Sequence, residues 1–322
     1  MALLRTFDGN AQGIVQDSTI RNTFLAKFFA ACPVLDFLHF YQFPGSADEP
    51  LKDADARAGR TRAINDAWPN NRTTPQWGSI SLKVFGDKVE TDQEWQVRLA
   101  GYGGIAAEHM RQLEEAGSSM GRYFMELFMT SDGTGTLFPG LPTLHVPIDG
   151  VTDVVLGADG TALSLEDTTT AKKNNRLVKE KVDWLARNSD VLVMAELVRD
   201  RLTTLATDRV TTQSVQNAVG EEVILTKWAG KPIILSGNTK DDDAPIQDLN
   251  EVVGDSEDCT SIWGFKTGER QHLTAGTNVG FRVEAPKMVD NMLTTNMNLS
   301  IGLTLLKDRS LRRIRGIRVP QT

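Results

Sequence analysis

Apolar residues at Ala106, Met110, Leu113, Gly117, Met120, Phe124 and Leu127 recur alternately four and three positions apart, one continuous stripe along a helix. Glu108, Arg111, Glu114, Glu115 and Arg122 fall between them as a polar face. The spacing predicts an amphipathic spine over 94–129, or half of a coiled coil, roughly 50 Å long at 1.5 Å per residue. Glycines at 101, 103, 104, 117 and 121 count against a straight rod, and a core helix broken near Gly103 or Gly117 is the alternative. The run Ser131-Asp132-Gly133-Thr134-Gly135, followed by Pro139 and Pro142, stops the helix with glycine at its cap and proline beyond.

Before the spine the pattern is broken. Asp8, Gly9, Asn10 and Gly13 make 1–17 an extended arm. Asp17 or Ser18 caps a short helix with Ile20, Phe24, Phe28 and Phe29 at helical spacing, and Pro33 ends it. Residues 34–43, rich in β-branched and aromatic side chains, read as a strand. The stretch 44–75 is polar and proline-bearing, with almost no large aliphatic residues to form a core. A strand follows in which Ile80, Leu82 and Val84 share one face and Ser79, Ser81 and Lys83 the other. Two strands around a polar tip describe a long hairpin that cannot bury its own apolar face, which predicts a neighbouring subunit as its cover. Its contact candidates are Ile80, Leu82, Val84 and Phe85.

Residues 146–277 read as compact mixed α/β: helices over 168–187 and 196–206, strands over 190–195, 223–227, 232–236, 260–265 and 279–284. The chain closes with an apolar, Asn/Thr-rich stretch over 288–306 and a basic strand ending at Val319. The order of helices and strands places the chain in the α+β class.

Composition narrows the function. The chain has 322 residues, 40% of them hydrophobic, enough for a sizeable core and too many for wholesale disorder. It has no run of ~20 apolar residues and no signal-peptide layout at its start, so no membrane association and a cytosolic setting are expected. Cys32 and Cys259 belong to no ligand cluster and read as buried thiols. A net charge of -7 argues against binding nucleic acid through a generally basic surface.

Candidate chemistry is sparse. His39, His109, His145 and His272 lack metal-ligand spacing and read as structural. There is no nucleophile elbow, and Gly101-Tyr102-Gly103-Gly104 falls inside the helix pattern rather than after a strand. The glycine loop after the spine closes a helix and carries no lysine, unlike a phosphate loop. Asp241, Asp242 and Asp243, with Asp248 and Glu251, could hold a hard cation, but a solvated loop is the simpler reading. Thus no catalytic residue, cofactor or metal is assigned. Lys307, Arg309, Arg312, Arg313, Arg315 and Arg318 form a basic group in an acidic chain, suited to acids of another subunit, to nucleic acid or to a solvated strand edge; Arg312, Arg313 and Arg315 are the subunit-contact candidates.

This order of arm, hairpin, spine, turn, α/β region and returning strand resembles the major capsid protein of tailed bacteriophages, the Hong Kong 97-type family. Asp132-Gly133-Thr134-Gly135 followed by Gly140-Leu141, and the closing Asp290-Asn291-Met292-Leu293-Thr294-Thr295-Asn296-Met297, carry the resemblance, which spans nearly the whole chain. It implies an N-terminal arm over 1–40, an extended loop over 41–93, a peripheral domain over 94–145 and 278–322, and an axial domain over 146–277. It also implies a non-enzymatic subunit that self-assembles as hexamers and pentamers into an icosahedral head enclosing double-stranded DNA, located in the virion after assembly in the host cytoplasm. Expected partners are other copies, a portal protein, a decoration protein and a scaffolding protein, the last separate because the arm begins at Met1. Some members join subunits by a lysine–asparagine isopeptide bond. Asn296 matches that asparagine, but Leu303 stands at the assisting acid's position, so cross-linking is not expected. An encapsulin-type nanocompartment shell is the alternative, and a soluble hydrolase with an unrecognised carboxylate pair the remote one.

Overall fold

Pro33 decides the first boundary. Helix α1 (Ser18–Ala31) gives way to a 3₁₀ turn (Pro33–Asp36), because proline lacks the backbone donor a continuing helix requires. The strand expected over 34–43 is therefore confined to β1 (Phe40–Gln42). The computed structural model describes residues 18–52, 76–94, 98, 104–216, 222–241 and 243–320. The arm over 1–17, the tip of the long hairpin, most of the spine's first ten positions and Asp242 lie outside the described residues.

The arms of the hairpin are β2 (Ala47–Asp48), β3 (Leu51–Lys52), β4 (Gln76–Trp77), β5 (Ile80–Ser81) and β6 (Lys83–Asp92). Ala47 and Asp48 pair antiparallel with Ser81 and Ile80, and Leu51 and Lys52 with Trp77 and Gln76. The returning arm does not keep one face inward. Its ladder is interrupted at Leu82, whose N–H bonds to the Ser46 carbonyl, and a one-residue change of phase exchanges the faces of a strand. The face expected to hold Ile80, Leu82 and Val84 therefore fails at its last member: Val84 turns out while Phe85, Val89 and Thr91 turn in.

Next come α2 (Gly104–Thr130), the one-turn α3 (Leu141–Leu144), β7 (Asp153–Val155), β8 (Thr161–Ala162), α4 (Thr169–Arg187), β9 (Val191–Met194), α5 (Glu196–Leu205), β10 (Val210–Gln216), β11 (Glu222–Trp228) and β12 (Lys231–Leu235). The Thr168 hydroxyl caps α4 by accepting from the Ala171 N–H at 3.1 Å. The last elements are β13 (Glu251–Val253), β14 (Ser256–Phe265), β15 (Leu273–Thr277), β16 (Phe281–Val283), β17 (Lys287–Val289), β18 (Met292–Leu305) and β19 (Leu311–Arg318).

Two sheets result. The first runs β1-β15-β18-β16, with β6 and β17 also on the long β18; the second runs β10-β11-β12-β9-β14-β19-β7, with β13 and β8 attached. The main core joins α1, α2 and the first sheet to one face of the second through Val191, Val193, Trp263 and Phe265. A second core packs α4 and α5 on the other face through Leu192, Met194, Ile262 and Ile314. All four residues of β9 are buried, as an apolar run covered on both faces must be. Sheet membership crosses position 277/278. β15, before it, belongs to the first sheet with β18, whereas β19, after it, pairs with β14 in the second.

Helix α1 lies directly on α2. A Cβ built on Gly117 would fall 2.8 Å from the Phe24 carbonyl oxygen, and one on Gly121 2.6 Å from the Phe28 oxygen and the Ala31 Cβ. These glycines permit close helix contact rather than marking a break: α2 is unbroken from Gly104 to Thr130. Of the predicted stripe, Leu113, Met120, Phe124 and Leu127 are buried, while Ala106 is exposed.

Candidate assembly surfaces

The described part of the hairpin is pinned to the body and carries exposed apolar residues. Tyr41, Phe43 and Ile80 form a small buried cluster with Leu82 packed against it. The Tyr41 hydroxyl donates to Asp48 at 3.1 Å, and Arg270 lies 4.7 Å over the same ring and 3.6 Å from Asp48. Burial and the Asp48 carboxylate push the Tyr41 phenol well above its ordinary pKa. Lys52 pairs with Asp308 at 2.8 Å, and Lys83 donates to the Gly135 carbonyl at 2.7 Å. Beside these anchors Leu51 is 55% exposed, Trp77 64% and Val84 72%.

The contact candidates thus divide. Ile80 and Phe85 are only 1% and 7% exposed and are covered inside this chain, Phe85 against Tyr123 and Phe124 of α2. Leu82 is half-buried, and Val84 is open. Leu51 and Trp77, which the sequence pattern did not single out, face each other across the hairpin and extend the open surface. Ile80→Asp is expected to cost at least about 3 kcal/mol of folding stability, because it places a charge in a closed apolar cluster. Val84→Asp should stay within about 0.5 kcal/mol of the parent. Urea unfolding of the two variants checks both; equal midpoints would contradict this division.

The turn after α2 is built as its residues suggest. The Asp132 carboxylate accepts from the Thr134 N–H and hydroxyl, both at 2.9 Å, which holds its pKa below the usual range. The Ser131 hydroxyl donates to the Phe138 carbonyl at 2.6 Å, and the Gly140 N–H to the Ser131 carbonyl at 3.0 Å, closing the loop onto the helix end. Gly133 and Gly135 have φ of +73° and +60°. A Cβ on Gly133 would meet Pro139 at 3.1 Å, whereas one on Gly135 meets nothing within 4 Å. Gly135→Ala is expected to cost about 1 kcal/mol from backbone strain alone, and Gly133→Ala more. Thermal unfolding checks the order.

The basic strand finds its acids at home. Arg313 and Arg315 both meet Glu251, at 3.0 and 2.6 Å, and the Ser261 hydroxyl donates to the same carboxylate. Arg313 also stacks over Trp263 at 4.7 Å, and Arg318 pairs with Asp258 at 2.8 Å. Glu251 therefore serves this pairing rather than the suggested Asp241–Asp243 cation cluster, and Asp243 itself pairs with Arg122 at 2.8 Å. Arg312 differs: it donates to the Arg309 and Val151 carbonyls and lies over the Trp184 ring.

Among the described residues no three His, Cys, Asp or Glu side chains gather as metal ligands. Buried His109 is held between Thr91 and Thr295, each at 2.8 Å, tying α2 to β6 and β18; burial lowers its pKa. His145 meets the Thr152 carbonyl, and His272 the Ser310 hydroxyl. Asn296 donates to Glu284 at 2.9 Å, and Leu303 is buried. Cys32 and Cys259 are free and buried. No described helix is long and apolar enough to cross a membrane.

A long helix under a sheet, an α/β body behind it and a hairpin rooted between them constitute the Hong Kong 97-type capsid fold. The holo-SrpI encapsulin complex from Synechococcus elongatus PCC 7942 shares it with a TM-score of 0.54 at 13% identity, over 96% of this chain and 92% of that one. The capsid of an empty GTA particle matches with a TM-score of 0.53 at 13% identity, over 89% and 90% of the two chains. The capsid of Myoviridae phage XM1 matches at 0.52 and 12% identity, over 88% and 90%. No protein-family model matches the sequence, and no curated protein does.

Proposed function

We propose that this chain is the major capsid protein of a tailed bacteriophage, assembling as hexamers and pentamers into an icosahedral head around double-stranded DNA. The hairpin carries the reading: its root is pinned by Tyr41, Asp48 and Arg270, while Leu51, Trp77 and Val84 remain exposed. Its anchors set its direction, and its apolar residues need a partner that a sibling copy would provide. The role is structural rather than catalytic. Net negative charge suits an inner wall that encloses DNA without holding it. The reading places the protein in the virion, assembled in the host cytoplasm, and brings in scaffolding, portal and decoration proteins as partners.

Electron microscopy of the expressed protein, alone and with its scaffold, is expected to show capsomers or closed shells; a single monodisperse subunit under every condition refutes the proposal. An encapsulin-type shell is the second reading, prompted by the fold match to SrpI. Nuclease-protected DNA in particles made during infection supports the phage head, and enclosed protein cargo without DNA supports the nanocompartment.

A further inference from the structure

Helix α4 inverts the charge of the chain. It carries six basic residues, Lys172, Lys173, Arg176, Lys179, Lys181 and Arg187, against Glu180 and Asp183, in a protein of net charge -7. Its inner side, centred on Val178, Val182 and Leu185, is buried on the second sheet. At 3.6 residues per turn, Lys173, Arg176, Leu177, Glu180 and Arg187 lie on the outer side. Leu177 is exposed among these cations. Arg312 extends the patch, its guanidinium 5.2 Å from the Trp184 ring of the same helix. Unlike Arg313 and Arg315, it meets no carboxylate among the described residues.

A surface of opposite sign lies at the β13–β14 turn. Residues 248–258 contain Asp248, Glu251, Asp255, Glu257 and Asp258 and no base. Glu251 and Asp258 are taken by Arg313, Arg315 and Arg318. Asp255 and Glu257 are exposed and pair with no cation among the described residues, and Val252 beside them is an exposed apolar residue. One surface sets a leucine among cations, the other a valine among anions. No ion pair among the described residues joins them within the chain.

We infer that the outer face of α4, with Arg312, docks on the 252–257 edge of a second copy of this chain. The inference rests on the shell reading and adds a contact separate from the hairpin. Opposite charges orient the two copies and speed their encounter, and the small apolar centres are covered as they meet.

The test compares particle assembly by wild type, K173E/R176E/R187E, D255K/E257K and the combination of both sets, with thermal melting as a check on folding. Each set alone is expected to lower the assembled fraction by about tenfold or more with a melting temperature within a few degrees of wild type. The combination, which restores opposite signs across the contact, should recover most of the yield. Wild-type yield from either set alone, or a combination no better than its parents, overturns the inference. Normal assembly with loss of bound DNA in the α4 set would assign that face to phosphate and overturns it too. A wild-type chain that never assembles fails the shell reading itself and takes the inference with it, so the two failures are distinguishable.

Discussion

Replacing Leu51, Trp77 and Val84 together by glutamate is expected to leave a folded chain that no longer builds shells. Each of these side chains is more than half exposed and stands outside the root cluster of Tyr41, Phe43 and Ile80. Their loss should therefore cost folding little beyond the Leu51–Trp77 cross-strand pair, about 0.2–1 kcal/mol. Association should suffer far more. Covering a large apolar side chain completely is worth roughly 1.5–3 kcal/mol, and with a little over half of each still open the three contribute about 3–6 kcal/mol to each hairpin contact. At 1.4 kcal/mol per factor of ten, the pairwise affinity falls by about a hundredfold or more. A closed shell repeats that contact at every subunit, so the loss compounds. Sedimentation and electron microscopy should find single subunits or isolated capsomers, with a melting temperature near wild type. Shells at wild-type yield would end the hairpin's proposed role, and a large fall in melting temperature would show that these residues belong to the core.

What the sequence revealed follows the range of the forces involved. The spine was legible because one side of a helix repeats every three to four residues, and Leu113, Met120, Phe124 and Leu127 are buried as that period requires. The turn at Asp132, Gly133 and Gly135 was legible because its constraints are local. The face of the returning hairpin arm was not: the interruption at Leu82 depends on a bond to Ser46, across the whole hairpin, and it reverses Val84 and Phe85. β15 escaped notice because Leu-Thr-Ala-Gly-Thr has neither alternation nor strong β propensity, yet β1 and β18 flank it and bury all five residues.

The candidate site divides the same way. A basic strand can be read from composition, but its acids sit elsewhere in the sequence. Glu251 is 62 residues from Arg313, and only the neighbouring β13, β14 and β19 bring them together. The pairing engages two of the three arginines proposed for a subunit contact and leaves Arg312 beside α4. Gly117 and Gly121 did carry a signal, since glycines four apart lie on one side of a helix and let another backbone approach. That spacing was visible before the structure was.

Their importance sets the last expectation: G117L/G121L should not fold. Glycine costs about 1 kcal/mol relative to alanine within a helix, so on propensity alone both substitutions should stabilise α2. Contact geometry opposes this. Even the first side-chain carbon would fall 2.8 and 2.6 Å from carbonyl oxygens of α1, which are backbone and cannot rotate away. Two leucines would therefore lift α1 from α2 and uncover Phe24, Leu25, Phe28 and Phe29, all buried in the main core. At roughly 1.5–3 kcal/mol each, these four account for about 6–12 kcal/mol, comparable to the whole stability of a typical domain. The milder Gly121→Ala should still fold but lose about 1–3 kcal/mol through overpacking. Ser119→Ala, on the exposed side of α2, should be neutral or slightly stabilising. Denaturant unfolding of the three variants decides the matter, and a Gly121→Ala chain as stable as wild type would show that the helices have room to separate without cost.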